Sequence, residues 1–138
     1  MGIDIGGANL KVASEEGWEI IYFPIWKNLE LLETKLKGIA EKYKVSKVGV
    51  VITAELADVF RNKEEGVKCI AEVCKKVFRH VYFLNINGEI KEDIDNPRAF
   101  AASNWLASVK LLLKDGYRNF LFVDMGSTTT DLIPVTEK

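Results

Sequence analysis

The sequence predicts an α/β domain with a mixed sheet in the order β-β-β-α-β-α-β-α, followed by one further strand hairpin at the C-terminal end. Three observations carry this. Three short apolar stretches separated by tight turns open the chain. Apolar residues then recur at helical spacing, in alternation with continuous apolar runs. A last apolar strand follows the third helix.

Residues 2–5 read as a strand broken by Gly6-Gly7, residues 10–13 as a second, and residues 18–24 as a third after the turn at Glu15-Glu16-Gly17. Asn28 is a candidate N-cap for a helix in which Leu29, Leu32, Leu36, Ile39, Ala40 and Tyr43 form the buried stripe. Residues 47–53 (KVGVVIT) predict a strand buried on both faces. A second helix spans 64–79, with Val67, Ile70, Ala71, Cys74 and Phe78 on one side and His80 at its end. Residues 81–86 form the next strand, closed by an Asn87-Gly88 turn. Asp95-Asn96-Pro97 opens a helix running over 97–114, apolar around much of its circumference and so expected between other elements. Residues 120–125 make the last strand and lead into Gly126.

The chain has 138 residues, 48% hydrophobic and 28% charged, the mixture of a soluble globular protein with a real core. This excludes a disordered tail, a collagen-like fibre and a membrane protein. No apolar run reaches the roughly 18 residues of a spanning helix, and no secretion signal is recognisable. The expected location is therefore cytoplasmic. Nineteen basic side chains balance 20 acidic ones, for a net charge of −1, so neither nucleic acid nor an anionic membrane is expected as a partner. Cys69 and Cys74 diverge around a helix and are expected as reduced thiols. With His80 the one histidine and no cysteine cluster, zinc is not expected.

One pattern occurs twice. Asp4-Ile5-Gly6-Gly7-Ala8-Asn9-Leu10-Lys11 and Asp124-Met125-Gly126-Ser127-Thr128-Thr129-Thr130-Asp131 both end an apolar strand in Asp, skip one residue, turn on Gly, and continue with small or hydroxylated residues. Either alone is an ordinary hairpin. Two copies indicate phosphate handling, because a glycine turn exposes backbone N–H groups and lets an anion approach without a Cβ in the way. Gly6, Gly7, Asn9, Lys11, Gly126, Ser127, Thr128 and Thr129 are the candidate phosphate-binding residues. Asp4 and Asp124, at strand ends, suit a Mg²⁺ held through water, an ion that takes few carboxylates and keeps several waters.

These paired motifs resemble the phosphate motifs of the acetate and sugar kinase/Hsc70/actin superfamily. There a nucleotide or phosphate lies between two ribonuclease-H-like lobes. The second motif is similar to that of the hydantoinase A/oxoprolinase-like branch. Residues 2–11, Thr53 to Phe60 (TAELADVF) with Glu65-Gly66-Val67, and the stretch from Asn96-Pro97 through Ala102-Ser103-Asn104-Trp105 resemble an archaeal group linked to tetrahydromethanopterin and methanofuran metabolism. The resemblance implies a ribonuclease-H-like lobe over 1–118, including the helix 97–114 as a connector, and the opening hairpin of a second lobe over 119–138. It implies a diphosphate-displacing synthase that joins a furfuryl diphosphate to a tyramine-type phenol. Asp4, Glu55, Asp58 and Asp124 are the candidate catalytic residues, with Glu55 or Asp58 as base toward a phenol whose ordinary pKa is about 10.

Alternatives stand beside this. Thr53 reads equally as the cap of a short helix, with Glu55 and Asp58 as favourable acids in its first turn. Arg61 and Lys63 read as an anion site or as a solvated pair. An ATP-dependent kinase, a hydantoinase/oxoprolinase-like hydrolase and a noncatalytic nucleotide-binding module share the same motifs, so ATP stays open as a cofactor. The superfamily runs to about two domains. A fragment of a longer protein, inactive alone, is the first expectation. A natural half completed by a second chain, and a homodimer that swaps its hairpin, are the others.

Overall fold

The alternation of Ile3 and Ile5 with Gly2, Asp4 and Gly6 sends two isoleucines to one side of a strand and the aspartate to the other. That alternation organises the first part of the molecule. The computed structural model describes residues 1–125 and 130–137. The chain divides into two units, Met1–Asn104 and Trp105–Lys138.

The first unit holds a six-stranded mixed sheet. Strands β1 (Gly2–Gly6), β2 (Asn9–Ser14) and β3 (Gly17–Tyr22) form an antiparallel meander. Strand β4 (Lys47–Thr53) pairs parallel to β1, β5 (His80–Leu84) pairs parallel to β4, and β6 (Ile90–Lys91) returns antiparallel to β5. The spatial order is β3-β2-β1-β4-β5-β6. A four-residue helix α1 (Ile25–Asn28) and a 3₁₀ turn (Leu29–Leu31) precede α2 (Leu32–Tyr43), and α3 (Lys63–Val77) links β4 to β5. Leu32, Leu36 and Ile39 of α2 and Val67, Ile70, Ala71 and Cys74 of α3 share one core with Ile3, Ile5, Leu10, Val12, Val48, Val50, Ile52, Val81 and Phe83 of the sheet.

Several sequence expectations change here. Strand β4 is buried on one face rather than two: Val48, Val50 and Ile52 point into the core, while Lys47 and Gly49 are exposed and Val51 and Thr53 half-buried. Asn28 ends α1 instead of capping α2, and its amide donates to the Pro24 carbonyl. Helix α3 stops at Val77, so His80 opens β5. Strand β6, two residues long, is too short to leave a periodic signal.

The helix expected over 97–114 is broken. Pro97–Phe100 is a 3₁₀ turn, Ala101 bridges in parallel to Ile52, and α4 spans Asn104–Lys114. Between them Ala102 sits in the left-handed region at φ 49°, strained for a residue with a Cβ. The reason is tertiary. The Ala102 N–H donates to the Ile52 carbonyl, and the buried Ser103 hydroxyl donates to the Leu84 carbonyl at 2.8 Å. These bonds stitch the segment to the ends of β4 and β5 and displace helical continuity. The all-round burial expected for this helix is also absent, since Val109 is its buried residue and Leu111 is exposed.

The second unit contains most of α4 and a two-stranded antiparallel ribbon, β7 (Phe120–Met125) and β8 (Thr130–Val135), with Asp124 opposite Asp131. Leu121, Val123, Met125 and Leu132 of the ribbon are exposed. No helix among the described residues is long and apolar enough to cross a membrane.

The two thiols differ in environment. Burial pushes Cys74 up to about 12, while Cys69 is half-buried and raised by the same cause, with Glu72 and Glu65 adding to it. Thiolate is the reacting form. In native protein, iodoacetamide is expected to label Cys69 slowly and Cys74 only after unfolding, as peptide mapping would read. Equal labelling of both in the folded state would contradict the burial of Cys74.

Candidate functional site

Because Ile3 and Ile5 face the helices, Asp4 faces the other side of the sheet. It is not loose there. Antiparallel pairing sets Lys11 of β2 directly opposite Asp4, and parallel pairing sets Thr53 of β4 beside Gly6. The Thr53 hydroxyl donates to Asp4 Oδ1 at 2.8 Å, and the Lys11 ammonium donates to Asp4 Oδ2 at 2.9 Å. Each carboxylate oxygen thus has its own donor, on strands to either side. The Asp4 side chain keeps 15% of its exposure.

The turn that follows needs its first glycine. A methyl built on Gly6 would lie 2.9 Å from the Asn9 carbonyl oxygen and 3.4 Å from Thr53 Oγ1, whereas one on Gly7 meets nothing. The carbonyls of Gly7 and Ala8 accept from the N–H groups of Ile25 and Phe23, both at 2.9 Å. A trans peptide directs its N–H opposite its C=O. The amides of Ala8 and Asn9 therefore aim away from residues 23–25. Gly6→Ala is expected to force the Asn9 peptide to move and to weaken any phosphate affinity at least tenfold, while Gly7→Ala changes it less than threefold. Calorimetry with inorganic diphosphate would compare them, and equal losses would show that the close approach at Gly6 is immaterial.

Past β4, the chain does not form the short helix that a Thr53 cap would begin. Residues 54–60 run through turns in which the Ala57 N–H donates to Ala54 and the Phe60 N–H to Ala57. Thr53 spends its hydroxyl on Asp4 instead. Glu55 is 2% exposed, and its Oε2 has no hydrogen-bond partner. Burial raises its pKa above the usual carboxylate value. Its own N–H, the Lys63 ammonium and the Ala102 N–H oppose that rise, and the Asp4 charge reinforces it. A carboxyl so placed stays protonated to higher pH than that of an exposed glutamate. Asp58 lies exposed on the same loop.

Helix α3 starts against Glu55. Asn62 caps it, its Oδ1 accepting from the Glu65 N–H at 2.9 Å. A methyl on Gly66 would stand 2.7 Å from the Glu55 carbonyl oxygen and 2.8 Å from its Cα. Gly66 is thus the residue that lets the helix touch the loop. Of the basic pair, Arg61 binds Glu65 at 2.9 Å on the surface, and Lys63 lies near enough to Glu55 to act on its charge.

Asp4, Lys11 and Gly6 therefore come together with Thr53, and Glu55 lies within electrostatic range of Asp4. Asp124 belongs to the second unit, half-buried on β7. Gly126, Ser127, Thr128 and Thr129 lie outside the described residues. Among the described residues no three acidic, histidine or cysteine side chains are grouped to hold a metal. Sequence reasoning missed Thr53 as Asp4's partner, Gly66 as the contact to Glu55, and Ala102. Only the Glu65-Gly66-Val67 stretch carried a signal, since a glycine in the first turn of an apolar helix asks for a close neighbour.

A family model described as hydantoinase/oxoprolinase matches residues 46–138, and the chain belongs to that family. More particularly, it is 42% identical over 146 residues to the (4-{4-[2-(gamma-L-glutamylamino)ethyl]phenoxymethyl}furan-2-yl)methanamine synthase of Methanocaldococcus jannaschii. The alignment takes in 100% of this chain and 44% of that relative, so the chain spans less than half of the relative's length. The branch and the group read from the motifs are both borne out.

Proposed function

We propose that this chain is the phosphate-handling first lobe of a synthase of methanofuran biosynthesis, which condenses a furfuryl diphosphate with a tyramine-type phenol and releases diphosphate. Relatedness over its whole length to a synthase named for a phenoxymethylfuran amine is the observation that carries it. The strand order β3-β2-β1-β4-β5, antiparallel and then parallel, supports a ribonuclease-H-like lobe. In this reading residues 1–118 form that lobe and residues 119–138 open its counterpart, which carries Asp124 and the second copy of the motif. The expected partners are a small diphosphate substrate and either the remaining lobe or a swapped copy of this chain.

In the proposed reaction the phenol oxygen bonds to the furfuryl methylene carbon, and the bond from that carbon to the diphosphate oxygen breaks with its electron pair. The phenolic proton needs a base, and the diphosphate needs donors where its charge develops. Glu55, buried and with one oxygen unpartnered, is the base this reading favours, with Asp58 as the exposed alternative on the same loop. The Ala8 amide and the Asn9 side chain, with Lys11, are the donors supplied by this lobe. Mg²⁺ fits what is present: a half-buried Asp4, with lone pairs beyond those given to Thr53 and Lys11, suits an ion that retains its waters. When bound, that ion would supply positive charge against the departing diphosphate.

The test uses the complete gene product. Incubated with Mg²⁺, a furfuryl diphosphate and a phenol-bearing amine, it is expected to release diphosphate and form the aryl ether, read by mass spectrometry. Incubated with ATP and Mg²⁺, it is expected to release nothing. The hydantoinase/oxoprolinase description favours a second reading, an ATP-dependent hydrolase or kinase. ATP consumption without ether formation would establish that one instead.

A further inference from the structure

We infer that Thr53 is a positioning residue of this site, holding the Asp4 carboxylate in place through its hydroxyl; the role in turnover rests on the reaction proposed above. The argument begins with the aspartate. Its last torsion is soft and roughly two-fold, so an Asp on a sheet face turns unless both oxygens are held. Here two donors from different strands hold one oxygen each, Thr53 at 2.8 Å and Lys11 at 2.9 Å.

The two donors are unequal. Lys11 reaches Asp4 with a long flexible stem and is 55% exposed at its side chain, so it exchanges with water and with any anion that enters the glycine turn. Thr53 is β-branched, with one stiff torsion, and it sits half-buried at the end of a paired strand. When a diphosphate draws the Lys11 ammonium to itself, Thr53 remains as Asp4's holder. Register makes the arrangement possible, because β1 and β4 pair in parallel with Gly6 beside Thr53. A side chain at position 6 would begin 3.4 Å from the Thr53 hydroxyl, so glycine there also keeps that hydroxyl free to reach Asp4.

The test is a double-mutant cycle on the complete protein: Thr53→Val and Thr53→Ser, each in the wild-type and the Asp4→Ala backgrounds, since alanine leaves no acceptor for the hydroxyl. Two readouts are taken, the unfolding constant in urea and the separate kcat and KM of ether formation. Thr53→Val is expected to raise the unfolding constant about tenfold, the scale of a hydrogen bond to a charged group. It is expected to lower kcat about 10- to 100-fold, the range for losing an orienting partner, with KM changed less than about threefold. Thr53→Ser should recover most of both, and Thr53→Val should add little to the unfolding constant once Asp4 is already Ala. Full additivity of the unfolding constants in the Asp4→Ala background, or failure of serine to rescue, would overturn the inference. Should wild-type protein form no ether, the proposed reaction fails by itself. The unfolding cycle then decides Thr53, with coupling supporting the assignment and additivity removing it.

Discussion

Gly66→Ala is expected to destabilise the first unit by about 1–3 kcal/mol, although alanine is the better helix former. In an open helical position the exchange gains about 1 kcal/mol. Gly38 of α2 is such a position, since an added methyl there meets nothing within 4 Å. Gly66 is its opposite. A methyl would press on the Glu55 carbonyl oxygen at 2.7 Å, its Cα at 2.8 Å and the Phe60 ring at 3.0 Å. Two of these three are backbone atoms, which cannot swing aside as a side chain can, so the helix or the loop must shift. Urea melts of Gly66→Ala and Gly38→Ala should therefore move in opposite directions. Because the displaced atoms are those of Glu55, catalysis should fall with stability in the first variant and hold in the second. A stabilised Gly66→Ala would show that the approach of α3 to the loop is not tight.

Glu55→Gln is expected to separate activity from stability. The folded protein binds the Glu55 proton more tightly than the unfolded chain, since burial raises its pKa in the fold. That contribution is fully present below the unfolded glutamate value near ~4.3. It is lost as pH rises through the raised folded value, at about 1.4 kcal/mol for each unit between the two. Glutamine does not titrate. Melts at pH 4 and pH 8 should show the variant gaining on wild type at the higher pH. Turnover should fall about 100-fold or more, because an amide cannot accept the phenolic proton. Unchanged turnover would remove Glu55 from the chemistry, and a stability difference independent of pH would remove its buried charge.

These two residues show how far the sequence could be read. Glu55 was visible as a candidate because it stands just past a buried strand, but its rival Asp58 stood three positions on with the same credentials. Burial separates them, and burial of a loop residue leaves no period in the text. Thr53 reads as the cap of a short helix, because a hydroxyl before two acids is what a helix start looks like. Its actual partner is Asp4, 49 positions earlier. The segment over 97–114 misled for a related reason. Its helical propensity is continuous, yet hydrogen bonds to β4 and β5 at Ala102 and Ser103 outweigh local preference and break it.

By itself the sequence determined the α/β class, the three-stranded opening, the strand at 47–53, the glycine turn after Asp4 and the branch of the family. The first four rest on local patterns, in which apolar spacing and turn residues act between neighbours along the chain, and the branch rests on the resemblance of the motifs. Only the tertiary structure decided that Thr53 and Lys11 share Asp4, that β4 buries one face, and that Glu55 lies buried beneath the start of α3 with an oxygen unpaired. The physical reason is the parallel pairing of β1 with β4. It joins strands more than forty residues apart, and its register comes from how the side chains pack between sheet and helices, not from any pattern within either strand.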